Sequence, residues 1–99
     1  MQIDPKDIHR HETGTKGRYS YRGGPDLPEA ELTWSKLGAH QIILDHTGVP
    51  DVYRGQGIGA ALVAHAVAEA RAAGLKITPL CPFAAAQFRK HPDWADVLA

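Results

Sequence analysis

The segment Arg54-Gly55-Gln56-Gly57-Ile58-Gly59, directly before an alanine-rich stretch, constrains the fold of this chain most strongly. Across residues 58–73 apolar side chains recur at spacings of three and four, which predicts a long amphipathic helix. Its buried face is expected to comprise Ile58, Leu62, Val63, Ala66, Val67 and Ala70. Alternate glycines before a helix let main-chain N–H groups crowd around an anion at the helix N-terminus. The segment therefore predicts a phosphate or pyrophosphate site, the alternative being a turn that only connects strand to helix.

Two common phosphate motifs fit this segment poorly. A P-loop requires Gly-Lys-Ser or Gly-Lys-Thr, whereas Gly59 is followed by Ala60 and Ala61. A dinucleotide fingerprint through Gly55, Gly57 and Ala60 lacks the surrounding βαβ units and the later acidic residue. The ligand is therefore expected to be a phosphate compound of another class.

The remaining pattern predicts a small α/β (α+β) fold. Strands are expected at residues 8–11, 18–22, 30–35, 40–46 and 76–80, with a second helix from Pro82 to about residue 90. Short loops between the first four strands indicate an antiparallel meander. The run Ile42-Ile43-Leu44 suggests that the fourth strand is covered on both faces. The prediction is a mostly antiparallel, twisted sheet of about five strands with two helices.

Size and charge limit the function classes. The 99 residues suffice for one domain, and 11 basic residues balance 11 acidic ones, so neither nucleic acid nor a membrane is an expected partner. A single cysteine and a charged N-terminal segment without signal-peptide character predict a cytoplasmic protein. The dispersed histidines predict no metal site.

The string Arg54-x-x-Gly57-x-Gly59 resembles the acyl-CoA pyrophosphate loop of the GNAT superfamily, the acetyl-CoA-dependent N-acetyltransferases. The strings Asp45-His46-Thr47-Gly48-Val49-Pro50 and Pro79-Leu80-Cys81-Pro82-Phe83-Ala84 resemble a subgroup of short, single-domain GNAT-like proteins. The resemblance covers residues 40–95 by motif and the first 40 residues only by strand pattern. It implies a single GNAT-like domain over residues 1–99 that binds acetyl-CoA (CoA) and transfers an acetyl group to an unidentified amine.

The resemblance also implies a set of cofactor-binding residues. Main-chain N–H groups would hold the pyrophosphate, and strand backbone would pair with the pantetheine arm. These residues are Val49, Val52, Arg54, Gly55, Gln56, Gly57, Ile58, Gly59, Ala60, Cys81 and Phe83.

The sequence departs from the GNAT pattern on its second helix. Many members carry Asn-x-x-Ala-x-x-x-Tyr there, the tyrosine protonating the leaving thiolate. Here Cys81 stands at the asparagine position and Phe88 at the tyrosine position, so the usual general acid is missing. Cys81, at a helix N-cap, is a candidate acyl acceptor or proton donor, or else a small buried hydrophobe.

His46 is the second candidate catalytic residue. It ends an apolar strand, where it is expected to share a face with Ile42 and Leu44 and to accept a proton from the amine. The alternative is a structural histidine at a strand end. A non-catalytic acetyl-CoA-binding module is the alternative function, and a monomer or weak dimer is the expected assembly.

Overall fold

The computed structural model describes residues 4–99, and the first three residues of the N-terminal segment lie outside them. The fold is a five-stranded sheet of order β1-β2-β3-β4-β5 with two helices. The first four strands pair antiparallel and β5 pairs parallel to β4, which confirms the predicted fold class. The elements are β1 (Ile8–Thr13), β2 (Lys16–Tyr21), β3 (Ala30–Leu37), β4 (Gln41–Gly48), α1 (Ile58–Ala73), β5 (Lys76–Pro79) and α2 (Pro82–Lys90). Short 3-10 turns occupy Pro5–Asp7, Asp51–Tyr53 and Pro92–Trp94.

One face of the sheet carries the core. In β3 the buried residues Ala30, Leu32 and Trp34 alternate with the half-buried Glu31, Thr33 and Ser35, as expected for a strand with one covered face. Helix α1 packs against β2, β3 and β5, and α2 packs against β4 and β5. We refer to the side opposite this core as the helix-free face.

Helix α1 matches its sequence prediction. All six residues expected on its apolar face are less than 3% exposed: Ile58, Leu62, Val63, Ala66, Val67 and Ala70. Gly74 ends the helix with φ +73°, and the N–H of Leu75 donates to Ala70 O at 2.8 Å. This left-handed ending lets the chain reverse directly into β5.

The outer edge of β5 is covered by the C-terminal residues. The N–H of Ile77 donates to Val97 O, and the N–H of Ala99 donates to Ile77 O. This edge of the sheet is therefore occupied at this point, whereas β1, at the opposite edge, pairs with β2 alone among the strands of residues 4–99. Strand β5 ends at Pro79, which has no N–H to donate to a ladder.

A β-bulge in β4 corrects the prediction for His46. Thr33 pairs with His46 and Trp34 pairs with Leu44, so Asp45 is an extra residue with no partner in β3. Because side chains alternate along a strand, the insertion reverses the faces beyond it. His46 consequently lies exposed on the helix-free face and does not share a face with Ile42 and Leu44.

The predicted burial of β4 on both faces is also wrong. Ile43 is only half-buried, because within residues 4–99 both helices pack on the other face of the sheet. No helix within residues 4–99 combines the length and apolar character needed to cross a bilayer.

Candidate functional site

Tyr53 anchors the segment that leads into the glycine loop. Its hydroxyl donates to Pro28 O at 2.7 Å and accepts from the N–H of Gly23 at 2.9 Å. Its ring packs against Tyr21, with the centroids 5.7 Å apart. The glycine loop therefore begins directly after a buried residue that is hydrogen-bonded to the β2–β3 connection.

The glycine loop adopts a conformation that its residues require. Gly55 and Gly57 have φ values of +79° and +73°, in the left-handed region that strongly favours glycine. Gly57 is the N-cap of α1 and provides no side chain to satisfy the first N–H groups of the helix. Those N–H groups and the positive end of the helix dipole are available to an oxygen anion.

Arg54 lies beside this helix start but is already paired. Its side chain is 80% exposed, and its guanidinium lies 3.1 Å from the carboxylate of Asp51. Gln56 also contacts the preceding turn, through Nε2 to Val52 O at 3.4 Å. A ligand phosphate that binds the Arg54 guanidinium must therefore compete with the Asp51 carboxylate. Sequence reasoning did not predict this ion pair between Arg54 and Asp51.

Gly59 brings three predicted site residues together. A Cβ at this position would lie 2.9 Å from Phe83 Cζ and 3.3 Å from Val49 Cγ2. Only glycine lets α2 and the end of β4 approach the first turn of α1 this closely. Val49, Gly59 and Phe83, all three expected to contact the cofactor, are thus neighbours in the fold.

The β4–β5 ladder ends beside Cys81. The N–H of Cys81 donates to Leu44 O at 3.0 Å. Beyond this hydrogen bond, β4 and β5 are no longer paired. Beyond the bulge, Thr47 pairs with buried Leu32 and so faces the helix-covered side. Its Oγ1 lies 3.4 Å from Cys81 Sγ. We call this region, bounded by Thr47, Val49 and Cys81, the strand gap.

The environment of Cys81 favours its thiolate. Cys81 is the N-cap of α2, as predicted, and Pro82 occupies the first helical position. Burial raises the pKa of the thiol, but the Thr47 hydroxyl and the nearby N–H groups of Ala84, Phe83 and Thr47 lower it by more. The resulting pKa lies below the ordinary cysteine value, which increases the nucleophilic fraction at neutral pH.

His46, the second candidate catalytic residue, and Phe88, at the tyrosine position of the GNAT pattern, lie elsewhere. The His46 ring lies over Gly48 on the helix-free face, with Nε2 3.3 Å from where a Gly48 Cβ would be. Phe88 is buried in the core, with its ring 5.2 Å from that of Trp94. The α2 position that carries tyrosine in the GNAT pattern is thus part of the core.

Exposed apolar side chains surround the strand gap and the loop. Val49, Val52, Phe83 and Leu80 are 37%, 51%, 40% and 67% exposed. Such a group of apolar side chains is typical of a ligand-binding opening. Together with the glycine loop, it suits a ligand that has an anionic end and a longer, partly apolar arm.

A groove on the outer face of α1 does not coincide with this group of side chains. It has a volume of about 880 Å³, follows the outer face of α1 and meets the loop only at Gly57 and Ala60. Neither Cys81 nor Val49 lines it.

Within residues 4–99, no three side chains of metal-ligating type converge on one point. The candidate functional residues are therefore those of the strand gap and the glycine loop.

Comparisons with known proteins agree with this geometry. The family model of the GCN5-related N-acetyltransferases matches residues 18–97. The chain belongs to this family. It is also similar to the NMR structure of a Staphylococcus aureus protein provisionally assigned as a GCN5-like N-acetyltransferase. That similarity has a TM-score of 0.70 and 30% identity, and it covers 94% of this chain and 89% of the other. Among curated proteins, none matches this sequence.

Membership in the GCN5-related N-acetyltransferase family confirms the resemblance found in the sequence. Thr47 is the residue near the site that sequence reasoning missed. No local pattern could have found it, because the bulge at Asp45 determines which way it faces.

Proposed function

We propose that this protein binds acetyl-CoA and transfers its acetyl group to an amine. The observation that carries the proposal is the placement of Cys81 at the end of the β4–β5 ladder, on a helix whose Phe83 packs against Gly59 of the loop that opens α1. This arrangement would put the thioester end of the ligand near the sulfur while its pyrophosphate lies at the helix start. Family membership supports the same chemistry.

The residues fit each part of acetyl-CoA. The N–H groups of the loop and of the first turn, residues 54–60, would bind the pyrophosphate. Val49, Val52 and Phe83 would contact the pantetheine arm, since they are exposed beside the opening. Main-chain groups of β4 beyond Leu44 would pair with the amides of that arm, as an added half-strand does.

Two routes of acetyl transfer suit the site. In the direct route, the neutral amine nitrogen attacks the thioester carbonyl carbon while a main-chain N–H polarises the carbonyl. The C–N bond forms, the C–S bond breaks, and CoA leaves as a thiolate that takes up the proton released by the amine. In the covalent route, the Cys81 thiolate is acetylated first, CoA thiolate leaves, and the amine then displaces the Cys81 sulfur.

A non-catalytic acetyl-CoA-binding module is the second candidate function. The burial of Phe88 favours it, because the tyrosine that serves as general acid in many family members is replaced by a core side chain. The two functions differ in turnover, since an enzyme releases many equivalents of CoA and a module releases none. His46 would serve as a base only if the amine approaches from the helix-free face.

The first experiment is calorimetric titration with acetyl-CoA and with CoA, on the wild type and on Gly57→Val. Binding should be lost in the variant, because a valine at φ +73° distorts the loop and blocks the helix start. Gly38→Val is the matched control, with φ +67° and open space around the added side chain. Equal binding by wild type and Gly57→Val would refute the loop assignment.

The second experiment measures free CoA over time with an amine panel. Multiple turnovers support the transferase, and stoichiometric binding without release supports the module. An acetyl adduct on Cys81 in intact mass spectra supports the covalent route. Continued turnover by Cys81→Ala with the wild-type rate excludes it.

A further inference from the structure

A second cavity lies on the helix-free face, on the opposite side of the sheet from the core. It has a volume of about 420 Å³ and crosses from β1 to β4. Its polar lining residues include His11, Lys16, Arg18, Thr33 and Asp45. The cavity thus ends at Asp45, the bulge residue of the strand that borders the strand gap.

A serine joins two oppositely charged residues of the cavity lining. Lys16 Nζ donates to Ser35 Oγ at 3.2 Å, and the Ser35 hydroxyl donates to Asp45 Oδ2 at 2.6 Å. Within residues 4–99, neither Lys16 nor Asp45 makes an ion pair with another side chain. The cavity therefore presents an ammonium and a carboxylate that are bridged by one hydroxyl and make no direct ion pair with each other.

The other cation of the cavity is already compensated. Arg18 Nη1 lies 3.0 Å from Glu29 Oε1 and 3.8 Å from Glu31 Oε1. His11 Nε2 is within 3.3 Å of the Ser20 hydroxyl. Lys16 and Asp45 are consequently the charges that remain available to a ligand.

We infer that this cavity binds the acetyl acceptor, and that the acceptor is a small amine carrying an acid group. The inference rests on the proposed transferase function. A ligand with an ammonium at Asp45 and a carboxylate or similar acid at Lys16 satisfies both charges. Asp45 directly follows Leu44, whose carbonyl accepts from the N–H of Cys81, and Lys16 lies two strands away on β2. The amine end is therefore the end of the bound acceptor nearer to the strand gap.

The acceptor must lose a proton before it reacts. The bound ammonium gives one proton to a base, either water or the imidazole of His46, which is exposed on the same face of the sheet, and the neutral nitrogen attacks the thioester carbonyl carbon. The C–N bond forms as the C–S bond breaks, and CoA thiolate takes up the second proton of the amine. Asp45 positions the amine, and the acid group stays at Lys16 throughout.

The test compares matched acceptors on the full protein with acetyl-CoA. The probes are β-alanine and 5-aminopentanoate, paired with propylamine and pentylamine, which lack the acid group. We expect kcat/KM for the acid-bearing amines to exceed that of their partners by about fivefold to tenfold, because a partly exposed charge contact contributes modestly. Equal kcat/KM within each pair would overturn the inference while leaving the transferase intact.

Two variants test whether Lys16 is the residue that binds the acid group. Lys16→Gln should raise KM for the acid-bearing amines, leave kcat nearly unchanged and remove the preference within each pair. Lys36→Gln is the control, because Lys36 is an exposed cation on the same sheet that pairs with Glu12 and does not line the cavity. A preference that survives Lys16→Gln would contradict the assignment of the acid end.

A binding measurement keeps the inference testable if no amine is turned over. Amide chemical shifts of the CoA-bound protein are followed during titration with 5-aminopentanoate and with pentylamine. We expect saturable shifts at Ser35 and Asp45 with the acid-bearing amine, several-fold weaker in Lys16→Gln. Absence of CoA release together with such shifts would refute the transferase alone, and absence of the shifts would refute the acceptor site.

Discussion

Thr47 Oγ1 lies 3.4 Å from Cys81 Sγ, although 34 residues separate the two in the chain. The bulge at Asp45 turns Thr47 toward the helix-covered side, and the end of the β4–β5 ladder places Cys81 opposite it. Burial raises the pKa of Cys81, but the hydroxyl and the nearby N–H groups lower it by more, so its thiolate fraction depends on a residue of strand β4.

Replacement of Thr47 should therefore raise the pKa of Cys81. Thr47→Val removes the hydroxyl with little change in shape, and the alkylation rate at pH 7 should fall by about threefold to tenfold. The measurement is the rate of iodoacetamide modification against pH, followed by intact mass. Thr47→Ser keeps the hydroxyl and should retain the wild-type midpoint. An unchanged midpoint in Thr47→Val would show that the N–H groups alone determine the pKa.

Gly59→Ala should disturb both the fold and the site. The added Cβ would lie 2.9 Å from Phe83 Cζ, so Phe83 or the start of α1 must shift. We expect a loss of about 1–3 kcal/mol in the free energy of unfolding, measured with urea, and weaker binding of acetyl-CoA by calorimetry. Gly24→Ala is the control, since its Cβ would make an ordinary 3.7 Å contact with Leu27. Equal stability of the two variants would argue against close packing at Gly59.

Gly17→Ala should destabilise the sheet rather than the site. A Cβ on Gly17 would overlap the indole of Trp34, which is 2% exposed and lies below the guanidinium of Arg10. The cost is expected to reach about 1–3 kcal/mol or more, because a buried indole has no room to move away. Urea denaturation gives this value, and acetyl-CoA affinity of the remaining folded protein should be unchanged. A fully stable variant would show that the indole can relocate.

The attachment of the C-terminal residues should weaken in acid. Arg71 forms two hydrogen bonds with the Asp96 carboxylate, at 2.7 and 2.8 Å, and this pairing lowers the pKa of Asp96. A carboxyl whose pKa is lower in the folded state stabilises that state above its unfolded pKa of about 3.9, and the effect is lost as the pH falls below it.

Hydrogen exchange tests this expectation at the N–H of Ala99, which donates to Ile77 O. Protection, corrected for the intrinsic exchange rate, should decrease between pH 6 and pH 3 in the wild type. In Arg71→Gln it should be lower at pH 6 and nearly independent of pH. Identical profiles for both proteins would show that the ion pair does not hold the C-terminal residues.

Much of the fold was predictable because its signals are local. Three signals involve only neighbouring residues: the spacing of apolar side chains along α1, the glycine that ends α1, and the proline at the start of α2. Both helices lie where these signals predicted them. The face of His46 was not predictable. Strand alternation places it with Leu44, and a single inserted residue in the register with β3 reverses that assignment.

The sequence by itself determined that a strand leads through a glycine loop into a long amphipathic helix, because spacing and backbone freedom are properties of neighbouring residues. It also determined the family resemblance, since Arg54-x-x-Gly57-x-Gly59 is a contiguous string. Only the tertiary structure decided that Thr47 meets Cys81 and that Ser35 joins Lys16 to Asp45. Those contacts depend on strand register, which long-range pairing fixes and no local pattern encodes.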